Sequence, residues 1–319
     1  MLTKTASLTA SLLLASTALF AQRPSDPALL IPQTAPLLDY VPVADPLAIP
    51  ADAKTGASAS LTFDKNGHLF VLYRGPQPIM EFDANGKFVR ALGSGFTRTH
   101  GIRIDSDGNF WIADVGAHTV TKLSPAGDVL LTIGTKGQAG EWDEASGSHK
   151  LNEPNELAIA RNGDIFIVQG HTPNKGNPGV LKFDKTGKFI KAWGGYGTEP
   201  GKFNVAHGVA IDAKGLLWVA DRENQRIQVF DQDGKYIREM KYKGLPCGFQ
   251  IGEKDIYMVN GFAGQILRLD LDGKVLAAMG QPGKGLGEFG EAHYIAVSPK
   301  GELFVADTVN GSVQKFVKK

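Results

Sequence analysis

The sequence predicts an all-β protein, a six-bladed β-propeller whose ring is closed by a strand from the N-terminus. Three observations predict it. A strand–turn–strand unit recurs six times between residue 57 and the end of the chain. The strand residues are mostly Val, Ile, Leu, Phe and Trp in short runs, divided by Asp/Asn-Gly-type turns in which Gly supplies positive φ without steric cost. The last unit runs out at Lys319 after its third strand, while an unclaimed strand-like run, Leu37 to Val43 (LLDYVPV), lies upstream. One blade cannot bury both of its faces. A ring of blades can, and a β-sandwich would not require so regular a repeat.

Composition bounds the function before any motif is read. The chain has 319 residues, 42% of them hydrophobic, which is enough for a large core. The formal net charge is +1 and there is no basic run, so nucleic acid is not an expected partner. A single cysteine, Cys247, excludes an internal disulfide and a CxxC redox or zinc motif.

Residues 1–21 read as a signal peptide. Lys4 supplies a weak positive n-region, Ala10 to Phe20 is apolar, and small residues allow cleavage after Ala21. Ser and Thr interrupt the apolar stretch, which is short of a full membrane span. Export to a bacterial periplasm or beyond is expected. No membrane anchor is expected after cleavage, since no cysteine follows the apolar region to carry a lipid. Residues 22–56 are Pro-rich: Pro24, Pro27, Pro32, Pro36, Pro42, Pro46 and Pro50 oppose helix and favour extended chain. Leu37 to Val43 is the candidate closing strand within it.

Residues 57–319 form the propeller. The second strand of each unit is the clearest: Leu69 to Tyr73, Phe110 to Asp114, Ile165 to Gln169, Leu217 to Asp221, Ile256 to Asn260 and Leu303 to Asp307. The third strands lie in MEFDANGK, TKLSPAGD, LKFDKTGK, QVFDQDGK, LRLDLDGK and the terminal VQKFVKK. Two Gly-rich connectors, GGYGTEPGKF (194–203) and GQPGKGLGEF (280–289), resemble phosphate loops. No helix pattern and no GK[ST] follows either, so they read as blade-to-blade turns.

The repeat brings chemistry-bearing residues into register. His100, His207 and His293 occupy one position, in blades two, four and six; Ala59, Asn155 and Cys247 take it in blades one, three and five. Alternate blades of a six-fold ring stand about 120° apart by symmetry. Three imidazoles thus converge on the channel axis, the donor set of a catalytic Zn²⁺ with an open fourth position. Fifteen residues after that position come Arg74 in blade one and Arg222 in blade four. A guanidinium there suits bidentate binding of a carboxylate, though a structural ion pair of Arg222 with Asp221 or Glu223 is an equal reading. His171 follows the second strand of blade three and is a candidate general base, or a loop residue of HTPNKGNPG. His68, His118 and His149 sit in turns and are expected to face solvent.

These residues carry a resemblance. LTFDKNGHLFVLYRG, HGIRIDSDGNFWIADVGAHTVTKL, FNVAHGVAI, VADRENQRIQVF and AHYIAVSPKGELFVAD resemble NHL repeats, and in combination the peptidyl-α-hydroxyglycine α-amidating lyase (peptidylamidoglycolate lyase) family. The resemblance implies Zn²⁺ on His100, His207 and His293, and active-site roles for Arg74, which handles the substrate carboxylate, and Arg222. It implies cleavage of a carbinolamide, N–CH(OH)–COO⁻, to an amide and glyoxylate, with a small carboxylate-bearing molecule or a peptide C-terminus as substrate. The animal enzymes place a tyrosine base where this chain has His171. The family's calcium-ligating aspartate is Tyr294 here, and its other Ca²⁺ contacts are backbone carbonyls that fall at Leu61 and Ile102. Glu291, two residues before His293, is an extra candidate ligand or base. Two alternatives stay open: a gluconolactonase-like metal hydrolase, whose sites favour carboxylate and Asn ligands, and a non-catalytic NHL scaffold.

Overall fold

A computed structural model describes residues 23–319; the signal-peptide reading of 1–21 lies outside the described residues. Six four-stranded antiparallel sheets follow one another along the chain. Their first strands are Ser58–Phe63, Thr99–Ile104, Pro154–Ile159, Ala206–Ile211, Pro246–Ile251 and Ala292–Val297. These pack side by side in sequence order, the sixth against the first, and so enclose a central channel. The second strands have the bounds read from the sequence. No helix among the described residues is long and apolar enough to cross a membrane.

The core is divided between blades. Six apolar clusters each join two neighbouring sheets; Ala59, Phe70 and Leu72 of blade one, for example, meet Ile102, Phe110 and Ile112 of blade two. Blades six and one share a cluster of the same kind, which completes the ring. The two Gly-rich connectors each end on a fully buried phenylalanine, Phe203 and Phe289, that anchors the entry to the next blade. Burying such a side chain is worth about 1.5–3 kcal/mol.

The ring closes as the sequence predicts, with a refinement. Tyr40–Val43 pairs antiparallel with Ser312–Lys318 and supplies the fourth strand of blade six. Leu37, expected in the same strand, instead bridges to Ala278 in the outer strand of blade five. Leu38 donates to the Ala278 carbonyl at 3.0 Å, and Ala278 donates to Pro36 at 2.8 Å. The N-terminal segment thus ties two blades together before it completes one.

One local feature recurs in all six blades and aims the site. The pairing of first and second strands slips at Ser58/Ser60, Thr99/Gly101, Pro154/Glu156, Ala206/Gly208, Pro246/Phe249 and Ala292/Tyr294. The position shared by Ala59, His100, Asn155, His207, Cys247 and His293 therefore lies in a β-bulge, a device that re-aims a side chain and bends the strand. A buried polar residue ending the second strand pins the chain as it enters the bulge. Asp114 accepts the amides of Thr97 and Arg98 at 2.7 and 2.8 Å, Asp221 that of Asn204, and Asp307 those of Gly290 and Glu291.

Candidate active site and metal centre

The bulged histidines meet on the channel axis. His100, His207 and His293 are buried, and their ring centroids lie 4.8 Å (100–207), 4.6 Å (100–293) and 4.9 Å (207–293) apart. Two of them are oriented by backbone of the odd-numbered blades. His100 Nδ1 lies 2.9 Å from the Asn155 carbonyl and His293 Nδ1 2.6 Å from that of Ala59. A carbonyl only accepts, so each Nδ1 is the protonated nitrogen and each Nε2 keeps its lone pair. His100 Nε2 and both ring nitrogens of His207 are buried with no hydrogen-bond partner. Burial, reinforced by the neighbouring imidazoles and arginines, holds all three well below the ordinary histidine pKa, so the rings are neutral.

His171 joins them. Its ring lies 4.8 Å from that of His100 and 5.8 Å from that of His207. Ring nitrogens of His100, His171 and His207 fall within 4.8 Å of one another, a grouping able to hold a metal ion. Sequence spacing puts His293 in the ligand set and His171 beside it; the fold brings all four imidazoles into one cluster. The loop that carries His171 is fixed by Glu153, whose carboxylate accepts from the Thr172 amide and hydroxyl at 2.8 and 2.9 Å. Burial and the charges of Arg222, Arg98 and Arg74 hold His171 well below the ordinary value, which leaves the ring neutral. Of the remaining histidines only His149 is exposed. His68 bonds Glu81 at 2.6 Å, and His118 Nδ1 accepts the Glu153 amide at 3.1 Å, both half-buried. In blade five the Cys247 thiol is buried and pushed up to about 12 by that burial, so it stays protonated.

Charged groups ring the same mouth. Arg222 opens a short 3₁₀ turn, Arg222–Asn224, and is buried. Its Nε and Nη2 both donate to Glu223, at 3.0 and 2.8 Å to Oε1, and its Nη1 is 3.8 Å from Glu291. Burial, the largest single influence, works against the charge, yet the neighbouring acidic groups, Glu223 foremost, together outweigh it and the guanidinium is held above its ordinary pKa. The structural ion pair weighed for Arg222 is therefore present, with Glu223. Arg74 donates through Nε to the Thr99 carbonyl at 3.2 Å. Burial, then the charge of Arg98, lowers its pKa to about 10. Glu291 is buried, its Oε2 has no partner, and burial raises its pKa against the pull of Arg222 and Arg74.

Two groups escaped the sequence reading. Arg98 leads into His100 and has a buried Nε with no partner. One layer deeper, Arg103, Glu156 and Tyr294 form a second polar cluster. Arg103 Nη1 donates to the Ile102 carbonyl at 2.6 Å and Nη2 lies 3.0 Å from Glu156, while Glu156 also accepts the Leu157 amide at 2.9 Å. The Tyr294 hydroxyl donates to the His207 carbonyl at 2.9 Å, and its ring stacks on that of His207 at 5.9 Å and 22°. Gly248 makes room for it, because a Cβ there would come 2.4 Å from Tyr294 Cδ1. The residues at this level do not fit the Ca²⁺ that Leu61 and Ile102 would help to hold. The Ile102 carbonyl already serves a guanidinium, and the family's aspartate position is a tyrosine occupied elsewhere. Arg103, paired with Glu156, sits at that carbonyl instead.

The ring, its repeats and the histidine cluster define a class: a six-bladed β-propeller with NHL repeats in three of its blades. The NHL repeat profile matches residues 96–123, 203–230 and 289–316, the three blades that carry His100, His207 and His293. Among curated relatives, human NHL repeat-containing protein 3 is 36% identical over 189 residues, covering 56% of this chain. The chain spans about half of that protein, 53% of its length. A Caenorhabditis elegans protein named probable peptidyl-alpha-hydroxyglycine alpha-amidating lyase is 27% identical over 291 residues, 79% of each chain. Among solved structures, a Xanthomonas campestris gluconolactonase superposes with a TM-score of 0.62 at 17% identity, over 90% of this chain and 100% of that one, a likeness of fold.

Proposed function

We propose that this protein is a zinc-dependent lyase that cleaves a carboxylate-bearing carbinolamide, R–CO–NH–CH(OH)–COO⁻, to R–CO–NH₂ and glyoxylate, outside the cytoplasm. The observation that carries the reading is the set of neutral, buried imidazoles with unpartnered Nε2 and Nδ1 atoms. A scaffold would bury such polar groups at a cost of about 1–3 kcal/mol each, with no return. The relatives named as amidating lyases support the reaction class, and the leader-like residues 1–21 support the location.

His100, His207 and His293 would hold the ion, with His171 within reach of the same space. Zinc so held supplies a Lewis acid that makes a substrate hydroxyl acidic near neutral pH. The chain's own residues do the rest. Asn155 and Ala59 carbonyls fix the tautomers of two imidazoles. Arg74 receives the carboxylate and orients the carbinol carbon. His171, neutral and facing the cluster, accepts the hydroxyl proton; the O–H electron pair becomes the aldehyde C=O, the C–N bond breaks, and the amide nitrogen takes a proton. Atoms balance without a co-reactant. The gluconolactonase-like alternative lacks the carboxylate-rich donor set it would need.

The test is metal analysis of the purified protein together with glyoxylate release from α-hydroxyhippurate. Bound zinc and glyoxylate are expected. A metal-free protein that releases none, with His100→Ala and His207→Ala indistinguishable from wild type, would sink the reading.

A further inference from the structure

The three arginines at the mouth are not equivalent. Arg222 spends its fork on Glu223 and is further drawn to Glu291. Among the described residues, neither Arg74 nor Arg98 has a carboxylate at ion-pair distance. Arg74 is tied by Nε to the Thr99 carbonyl, the residue between Arg98 and His100, so both Nη groups of Arg74 remain free beside that segment. Arg98 is held by its backbone: its amide donates to Asp114 at 2.8 Å and its carbonyl accepts from Val115 at 3.0 Å. Gly116 lies against it, where a Cβ would sit 2.9 Å from Arg98 Cβ. Its side chain makes no hydrogen bond, although Nε is buried.

We infer that Arg98 is the second arm of an anion clamp with Arg74, the two free guanidinium forks bracketing one substrate carboxylate beside His100, while Arg222 stays committed to Glu223. A planar fork with unused donors matches a carboxylate oxygen pair better than one already filled. Repulsion between two unpaired cations is relieved when an anion enters, so the clamp favours charged over neutral ligands. The field of Arg98 at Arg74 and His171 agrees with this placement. The inference deepens the lyase reading by naming the residue that selects the acid.

Hippurate tests it, because it carries the carboxylate and lacks the hydroxyl that reacts. Calorimetry compares hippurate with its neutral amide on wild type, Arg98→Gln, Arg98→Lys and Arg74→Gln, each checked for unchanged metal content and melting temperature. Wild type is expected to prefer the acid. Arg98→Gln is expected to weaken hippurate roughly tenfold, the size of a lost charge-assisted bond, and to leave the amide unchanged, with partial recovery in Arg98→Lys. Hippurate binding within twofold of wild type in Arg98→Gln, or no preference for the acid in wild type, would overturn the clamp. Acid-selective binding without glyoxylate release would keep the clamp and remove the lyase reading instead.

Discussion

At the mouth of the channel His100 Nε2, both nitrogens of His207, Glu291 Oε2 and Arg98 Nε are buried without a partner. One layer deeper Arg103, Glu156 and Tyr294 are as polar, but Arg103 is ion-paired with Glu156, whose Oε2 makes that contact without a hydrogen bond, and Arg103 and Tyr294 donate to the Ile102 and His207 carbonyls. Both layers hang on the same first strands. The upper layer keeps its donors and acceptors unspent, which costs stability and leaves them free for a ligand. The lower layer spends most of them, and Tyr294 there stacks on His207. The difference teaches which buried polar groups to read as site and which as frame.

The comparison can be broken from below most severely. Glu156→Ala leaves Arg103 facing the channel interior without its carboxylate and should cost about 3–5 kcal/mol, read as a shift in urea midpoint. If this variant unfolds at the wild-type midpoint, the lower layer is not frame. From above, His207→Ala should abolish metal retention and lower turnover by roughly 100-fold or more while the midpoint of the metal-free protein moves little. A large stability loss there would mean that the imidazole is packing and not ligand.

Acid sharpens the contrast. The depressed pKa values of His100, His207 and His293 mean that the unfolded chain binds more protons than the folded one below pH 6.5, so their contribution to stability is complete above 6.5 and is lost as pH falls. Glu156, raised to about 7 chiefly by burial, and Glu291, raised for the same reason, act in the opposite sense. With His171 depressed likewise, four imidazoles against two carboxyls leave a net fall in stability of the metal-free protein on acidification below pH 6.5, about 1.4 kcal/mol per pH unit for each net proton. Denaturation at pH 7.0, 6.0 and 5.0 checks the slope; a rise in stability towards pH 5.0 would contradict it.

Smaller effects follow for Tyr294 and calcium. Tyr294→Phe removes the bond to the His207 carbonyl, and about 1 kcal/mol of stability should go with it. Calcium should leave the melting temperature unchanged, because Arg103, paired with Glu156, already sits at the Ile102 carbonyl. A rise of several degrees that chelation reverses would show that a cation does enter.

Much of this was legible along the chain. The second strands, the alternate-blade histidines and the arginines fifteen residues on all follow from a repeat, because equivalent residues in a ring of like blades land at equivalent places. What stayed hidden had no side-chain signature. The Ala59 and Asn155 carbonyls that orient His293 and His100 are backbone atoms, which any residue would supply. The pairing of Arg103 with Glu156 joins two blades across 53 positions of chain, and nothing local announces it. Arg98 reads in FTRTHG as an ordinary surface arginine until Arg74 is found tied to the residue beside it.

Sequence alone determined the ring, its six blades and which residues could reach the axis, since hydrophobic period and turn chemistry act over a few residues at a time. Tertiary structure decided which polar atoms end up satisfied. The bulge aims each imidazole, a carbonyl of the neighbouring blade accepts from Nδ1 of two of them and so leaves Nε2 with its lone pair, and Glu223 occupies Nε and Nη2 of Arg222 while Arg74 and Arg98 have no carboxylate partner. Hydrogen-bond satisfaction is a property of the assembled neighbourhood, because each partner comes from a different strand, and that is where the chemistry of this channel was set.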